Sequence, residues 1–160
     1  FTKEASERMS AINERPAIFA LSNPTSKAEC TAEQAYAWSR GRAIFTSGSP
    51  FGRVVHDGRE FHPGQGNNAY VFPGVGLGAI ACGARRVTDR MFLAAARTLA
   101  ALEDEHDLAR GVLYPPLSDI RRISLAIATA VAKEAYASTL ARRKRPPDLR
   151  ATIRRSMYEP

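Results

Sequence analysis

Apolar positions fall into short continuous runs in the first half of the chain and into helical stripes in the second. From Thr2 to Asn13, Ala5, Met9 and Ile12 recur at helical spacing among Lys, Glu and Arg, which predicts a helix with those three on its apolar face. Pro16 ends that region. Ala17–Leu21 is a continuous apolar run, the pattern of a strand buried on both faces. Ser22-Asn23-Pro24-Thr25 then enforces a turn. Thr31, with Gln34 three residues on, reads as the N-cap of a helix running through Trp38 and closed at Gly41. Ala43–Thr46 is a second short buried strand, ending at Ser47-Gly48-Ser49-Pro50. A strand, a helix and a strand in this order predict a βαβ unit, parallel and with a right-handed crossover.

Val54–Phe61 reads as a small hairpin on an Asp57-Gly58 turn. Everything after Asn68 is helical in pattern. Phe72–Cys82 is apolar all round, which predicts a buried helix. Thr88 is placed to cap a helix through Leu102, with Met91, Leu93, Ala94 and Leu99 inside. Leu117–Leu140 is a longer helix whose stripe is Ile120, Ile123, Ala126, Ile127, Ala130, Val131 and Ala135. The expected fold class is α/β, half of an open parallel sheet (1–141, with a helical cap) followed by a basic tail (142–160).

Charge sharpens that division. The net charge is +7, but 142–160 carries seven basic residues against Asp148 and Glu159 and so supplies +5 of it. The basic balance therefore belongs to a tail and not to a nucleic-acid-binding face. Arg142-Arg143-Lys144-Arg145-Pro146-Pro147 resembles a polyanion patch, and its plainer reading is a solvated helix end and a proline-broken connector. A chain of 160 residues with 44% hydrophobic and 24% charged positions is an ordinary soluble domain. No run of about 18 apolar residues is present, so neither a membrane span nor a membrane partner is expected. Cys30 and Cys82 cannot build a disulfide framework and have no metal-type spacing, which points to buried thiols in a reducing compartment. The cytoplasm is the first expectation, an organelle the second. The start at Phe1 reads as a processed or excised segment.

The most specific chemistry lies in Gly64-Gln65-Gly66-Asn67-Asn68, ahead of an apolar helix-like run. Amides at a helix start add neutral donors to unpaired backbone N–H groups, a combination suited to a small anion. In open α/β sheets ligands sit beyond the carboxyl ends of parallel strands. Ser22-Asn23-Pro24, Ser47–Pro50 and Asn67-Asn68 should converge there, and Gly64 and Gly66 would let the loop pass close to a ligand. Taken alone, Asn23 is equally an Asx turn and Asn67-Asn68 a helix cap. Gly74, Gly76 and Gly78 fail the dinucleotide fingerprint in spacing and context, and close helix packing explains them better. His56, Asp57, Glu60 and His62 form the one cluster with metal-ligand residue types. Alternation along the chain puts His56, Gly58, Glu60 and His62 on one face. A polar hairpin without a metal is the simpler reading. No nucleophile elbow, general base or reactive lysine stands out.

These segments closely resemble malic enzyme, the oxidative decarboxylating malate dehydrogenase. The match runs through Ile12–Pro16, Phe19–Thr25, Ala28–Glu33, Ser47–Phe51, Pro63–Gly76 and Leu113–Leu117. It implies the second half of a Rossmann-like NAD(P)-binding domain plus C-terminal helices. It further implies oxidation of L-malate by NAD or NADP with release of carbon dioxide and pyruvate, assisted by Mg or Mn as Lewis acid. By the same resemblance, Asn23 and Asn67 or Asn68, with Asn68 favoured, contact substrate. Asn23 and the Ser47-Gly48-Ser49 loop lie beside the nicotinamide. The family's catalytic Tyr and Lys, its metal-binding acids and its Gly-rich pyrophosphate loop belong to upstream segments. No catalytic residue and no metal ligand is therefore expected in this chain, and Tyr70, Lys27 and Asp57 do not fill those roles. The chain alone should be inactive, should bind cofactor weakly, and should associate through an unpaired strand edge. Its partners would be malate or pyruvate, the upstream part of the same enzyme and, at full length, further copies. Two other readings stand beside this one, a non-catalytic anion-binding or regulatory module on the same half-fold and a polyanion binder using the tail.

Overall fold

The computed structural model describes residues 1–103 and 105–158. They form two compact units: Phe1–Asn67 with Glu103–Tyr114, and Asn68–Leu102 with Pro115–Pro160. Glu159 and Pro160, counted in the expected tail, lie outside the described residues.

In the first unit, α1 (Lys3–Ile12) starts at Thr2, whose side chain accepts the Ala5 N–H. Of the three inward positions the spacing predicts, Met9 packs against the core and the other two do not. Ser6 and Ser10 are buried, whereas Ala5 and Ile12 are exposed. Small side chains let α1 settle against α2 (Ala32–Ser39), so closeness of approach selects the face together with Met9. α2 carries the expected capping box, with Gln34 N–H donating to Thr31 Oγ1 and Thr31 N–H to Gln34 Oε1. Arg40 and Gly41 end it in the left-handed region (φ 55° and 69°).

Strands β1 (Ala17–Ala20) and β2 (Ile44–Ser47) pair in parallel, Ala17 against Ile44 through Ala20 against Ser47. The βαβ reading therefore holds. β1 is not buried on both faces, however: Ile18 and Ala20 are buried, Phe19 is half-buried and Ala17 is exposed. The sequence reading missed a third strand. β5 (Gly64–Gln65) pairs in parallel with β2, giving the order β1-β2-β5. Two residues are too few for a periodicity to show. Between β2 and β5 lies the expected hairpin, β3 (Val54–His56) and β4 (Arg59–Phe61), with Asp57 and Gly58 both at positive φ as its tight turn requires. Ile18, Ala20, Tyr36, Phe45 and Val54 form the core of this unit, and Phe61 stacks on Tyr36 at 4.3 Å.

The second unit is helical: a 3₁₀ turn Asn68–Tyr70, α3 (Phe72–Cys82), α4 (Asp89–Ala100), a 3₁₀ turn Leu117–Asp119, α6 (Ile120–Ala137) and α7 (Leu149–Arg155). The short α5 (Glu105–Ala109) lies in the first unit. α3 is buried on one side only. Gly74, Val75, Gly78 and Cys82 face inward, while Phe72 and Ile80 stay 62% and 70% exposed. Thr88 stands at the N-cap of α4 in extended conformation, but its hydroxyl makes no cap bond, and Leu93 is exposed. Along α6, Ile123, Ile127, Val131 and Ala135 are buried as expected, whereas Ile120, Ala126 and Ala130 are half-buried. The basic stretch ends in α7, whose Leu149 and Ile153 are buried and which packs against α6.

Glycines decide how closely α3 meets α6. A Cβ on Gly74 would stand 2.6 Å from Ile127, and one on Gly78 2.6 Å from the Ala128 carbonyl oxygen; at Gly76 it would meet open space. The packing explanation thus covers Gly74 and Gly78 but not Gly76. Gly78→Ala should destabilise the protein by about 1–3 kcal/mol, since backbone cannot yield as a side chain does. Gly76→Ala should stabilise it by roughly 0.5–1 kcal/mol through helix propensity. Urea unfolding of the two variants checks this, and shifts of the same sign would contradict the packing assigned here.

Candidate functional site

Because β1, β2 and β5 run parallel, their carboxyl ends lie at one edge of the sheet, where Leu21–Asn23, Gly48–Ser49 and Gly66–Asn67 leave the strands. The backbone ties these exits together. Gly48 N–H donates to Ala20 C=O at 3.1 Å, and Gly66 N–H to Ser47 C=O at 2.8 Å. The Gln65 amide reaches the Gly48 carbonyl at 3.4 Å.

Side chains then fix the donors. Ser47 Oγ donates to the Ser49 carbonyl at 2.6 Å, folding the loop back on the strand. Ser49 Oγ donates to Asn23 Oδ1 at 2.5 Å. With its oxygen engaged, the Asn23 amide presents its NH₂ as the free end, a neutral two-proton donor on an exposed loop. Gly48 is indispensable to this contact. A Cβ there would collide with the Leu21 carbonyl oxygen and stand 2.9 Å from both terminal atoms of Asn23. Only glycine lets the second loop sit against the first.

The Ser22-Asn23-Pro24 turn contains a cis Asn23–Pro24 peptide bond and is anchored from behind by Glu29. The Glu29 carboxylate accepts Ser22 Oγ–H at 2.7 Å and Ser22 N–H at 3.2 Å. Sequence reasoning passed over Glu29. Its signal was a carboxylate seven residues beyond a serine, which means little until the turn folds it back.

The structure thus brings Asn23, Ser47, Gly48 and Ser49 into one network, and places Asn67 one residue beyond the Gly66 bond to Ser47. Asn68 opens the second unit, in a 3₁₀ turn ahead of α3. The asparagines do not cap the long helix, which begins at Phe72 with Val71 at its N-cap position. Gly64 and Gly66 have a reason other than ligand approach. Cβ atoms there would press on Thr46, at 2.8 Å from its Oγ1 and 3.0 Å from its Cγ2 respectively, so glycine is what lets β5 lie against β2.

The histidine hairpin reads differently once its register is known. His56 pairs with Arg59 and Val55 with Glu60. A two-residue turn reverses the parity of alternation, so His56 and Glu60 fall on opposite faces. Glu60 instead takes Arg53 at 2.9 Å and His62 at 3.0 Å. Among the described residues no three His, Cys, Asp or Glu side chains stand close enough to hold a metal ion. Cys30 and Cys82 are both free and buried, and burial raises both thiols above their ordinary range.

These features define an open parallel α/β unit with polar loops gathered at its strand ends, joined in sequence to a helical unit. Residues 1–136 match the family model described as malic enzyme, NAD binding domain. The chain is 56% identical over 161 residues to an NADP-dependent malic enzyme of Phaseolus vulgaris, and 57% over 164 to NADP-dependent malic enzyme 2 of Arabidopsis thaliana. Each alignment covers the whole of this chain and 27% of the relative. Among solved structures, malic enzyme from Entamoeba histolytica aligns with a TM-score of 0.74 at 25% identity, covering 97% of this chain and 28% of that one. Malic enzyme from Pyrococcus horikoshii Ot3 gives 0.72 at 28% identity, covering 96% and 31%. The chain belongs to the malic enzyme family. It spans about a quarter of the length of these plant relatives.

Glu29 carries a pH signature. The Ser22 hydroxyl, then backbone N–H bonds, hold its carboxyl below the usual glutamate range. A lowered folded value means the stabilisation is present above the unfolded value and lost as pH falls through the folded one. Glu29→Gln should therefore lower the thermal midpoint at neutral pH and flatten its fall below about pH 4. A variant with the parent's midpoint and acid limb would contradict the anchoring role.

Proposed function

We propose that this chain supplies the substrate- and nicotinamide-facing wall of an enzyme that oxidises and decarboxylates L-malate to pyruvate and CO₂. The observation that carries the reading is the Ser49–Asn23 hydrogen bond over Gly48, which engages the amide oxygen and leaves the NH₂ as a donor among the strand-end loops. A nicotinamide nucleotide suits these residues: Asn23 and the Ser47-Gly48-Ser49 loop, which Gly48 lets pack together, would hold its nicotinamide end. The nucleotide, when bound, accepts a hydride from the substrate. NADP is our choice for it, supported by the names of the two plant relatives.

Asn23, with Asn67 or Asn68, would orient the substrate. A neutral amide binds a carboxylate without cancelling its charge, so it positions the anion and leaves its reactivity intact. The described residues do not fit the divalent ion. They offer no cluster of ligating side chains, and the ion's ligands are proposed to lie upstream in the polypeptide, as are the catalytic acid and base. Further copies of the polypeptide are the proposed partners of the full-length enzyme. Buried, unpaired thiols support a reducing compartment, cytoplasmic or organellar, and a Zea mays relative is named chloroplastic. Among the described residues no helix is long and apolar enough to cross a membrane.

Two of the tail arginines are engaged within the helical unit. Arg143 donates to the Ala81 carbonyl at 3.3 Å, and Arg145 lies 6.0 Å over the Tyr136 ring.

In the intact polypeptide that carries this segment, Asn23→Ala should weaken malate use by tens of fold, since a hydrogen bond to a charged ligand is worth about 1.5–3 kcal/mol. Malate-dependent formation of NADPH measures this. The 160-residue chain alone should show no turnover. Turnover by the chain alone would place catalytic groups within it, and an unimpaired Asn23→Ala variant would remove the amide from substrate binding.

A further inference from the structure

The amino ends of the same three strands enclose a second polar cavity, of about 510 Å³. The segments leading into β1, β2 and β5 contribute Arg15, Arg42 and His62; Arg59 and Phe61 of β4 and Arg110, just after α5, complete the wall. Four residues of strand, roughly 13 Å, separate this end of the sheet from the Asn23 loop.

The guanidinium groups of Arg42 and Arg15 are held in place by backbone carbonyls rather than by carboxylates. Arg42 donates to the carbonyls of Ser10 (2.7 Å), Glu14 (3.2 Å) and Asn13 (3.3 Å), closing the end of α1. Arg15 donates to the carbonyls of Ala109 (3.2 Å) and Leu108 (3.4 Å). Carbonyl partners fix the position of a cation and leave its full charge for a ligand. Arg59 lies 5.5 Å over the Phe61 ring, which itself stacks on Tyr36. Arg110 meets Asp107 only at 3.6 Å. Two carboxylates also line the cavity. Glu60 is paired with Arg53 and with His62, which also lines the cavity, so among the described lining residues Glu14 and Glu60 face four arginines.

We propose that this cavity binds a small, multiply charged oxyanion. Arginine forks match phosphate and carboxylate oxygens equally well, so the shared chemistry is a polyphosphate or polycarboxylate, with the Tyr36–Phe61 pair as an apolar floor. Its distance from Asn23 makes it a site separate from substrate binding, and it stands whether or not the malate reading does.

Isothermal titration of the intact polypeptide with pyrophosphate and with citrate, at fixed ionic strength and without divalent metal, tests this. At least one anion should bind at one site per chain, and which of them binds identifies the source chemistry. Arg59→Gln and Arg110→Gln, both at exposed positions, should each weaken that binding about ten-fold or more, and Asn23→Ala should leave it unchanged. Three outcomes would overturn the proposal: no saturable binding of either anion, parent-like affinity in both arginine variants, or loss of binding in Asn23→Ala.

Discussion

Four residue pairs set up everything that follows in the first unit. Ala17–Ala20 lie parallel to Ile44–Ser47, and a parallel pair sends both carboxyl ends to the same edge. Had the pair been antiparallel, Asn23 and Ser49 would leave the sheet from opposite ends and could not meet. The capped helix α2 makes the parallel arrangement possible, since a chain returning in the same direction needs a crossover. The site is thus a consequence of topology first and of side-chain identity second.

Glycine supplies the second constraint. Gly48 lets one loop touch the Asn23 amide, Gly64 and Gly66 let β5 lie against Thr46, and Gly74 and Gly78 let α3 reach α6. In each place a single added carbon would push backbone or side chain apart. The close approaches matter because a hydrogen bond such as Ser49 to Asn23 tolerates only a few tenths of an ångström of displacement.

Much of this was legible in the sequence because the signals were local. The Thr31–Gln34 box, the Asp57-Gly58 turn and the strands at Ala17 and Ala43 each depend on neighbours in the chain, and each forms where it was read, though β1 is buried on one face only. What escaped depended on contacts across the chain. β5 is too short to show a period. The hairpin's faces follow the pairing register and not a count through the turn, which moved Glu60 away from His56. Ser6 and Ser10 are buried because α2 comes close, a fact no stripe of apolar residues records. Of the candidate site, the asparagines and serines were visible as residue types. Glu29 became visible only when the turn brought it under Ser22.

The central claim is that the strand-end loops form the wall facing substrate and nicotinamide. Hydrogen–deuterium exchange of the intact polypeptide, with and without NADP and malate, addresses it most directly. The account predicts slowed exchange in residues 21–25, 47–51 and 64–68 on addition of both ligands. Ligand-bound protein with unchanged exchange in all three segments would contradict it.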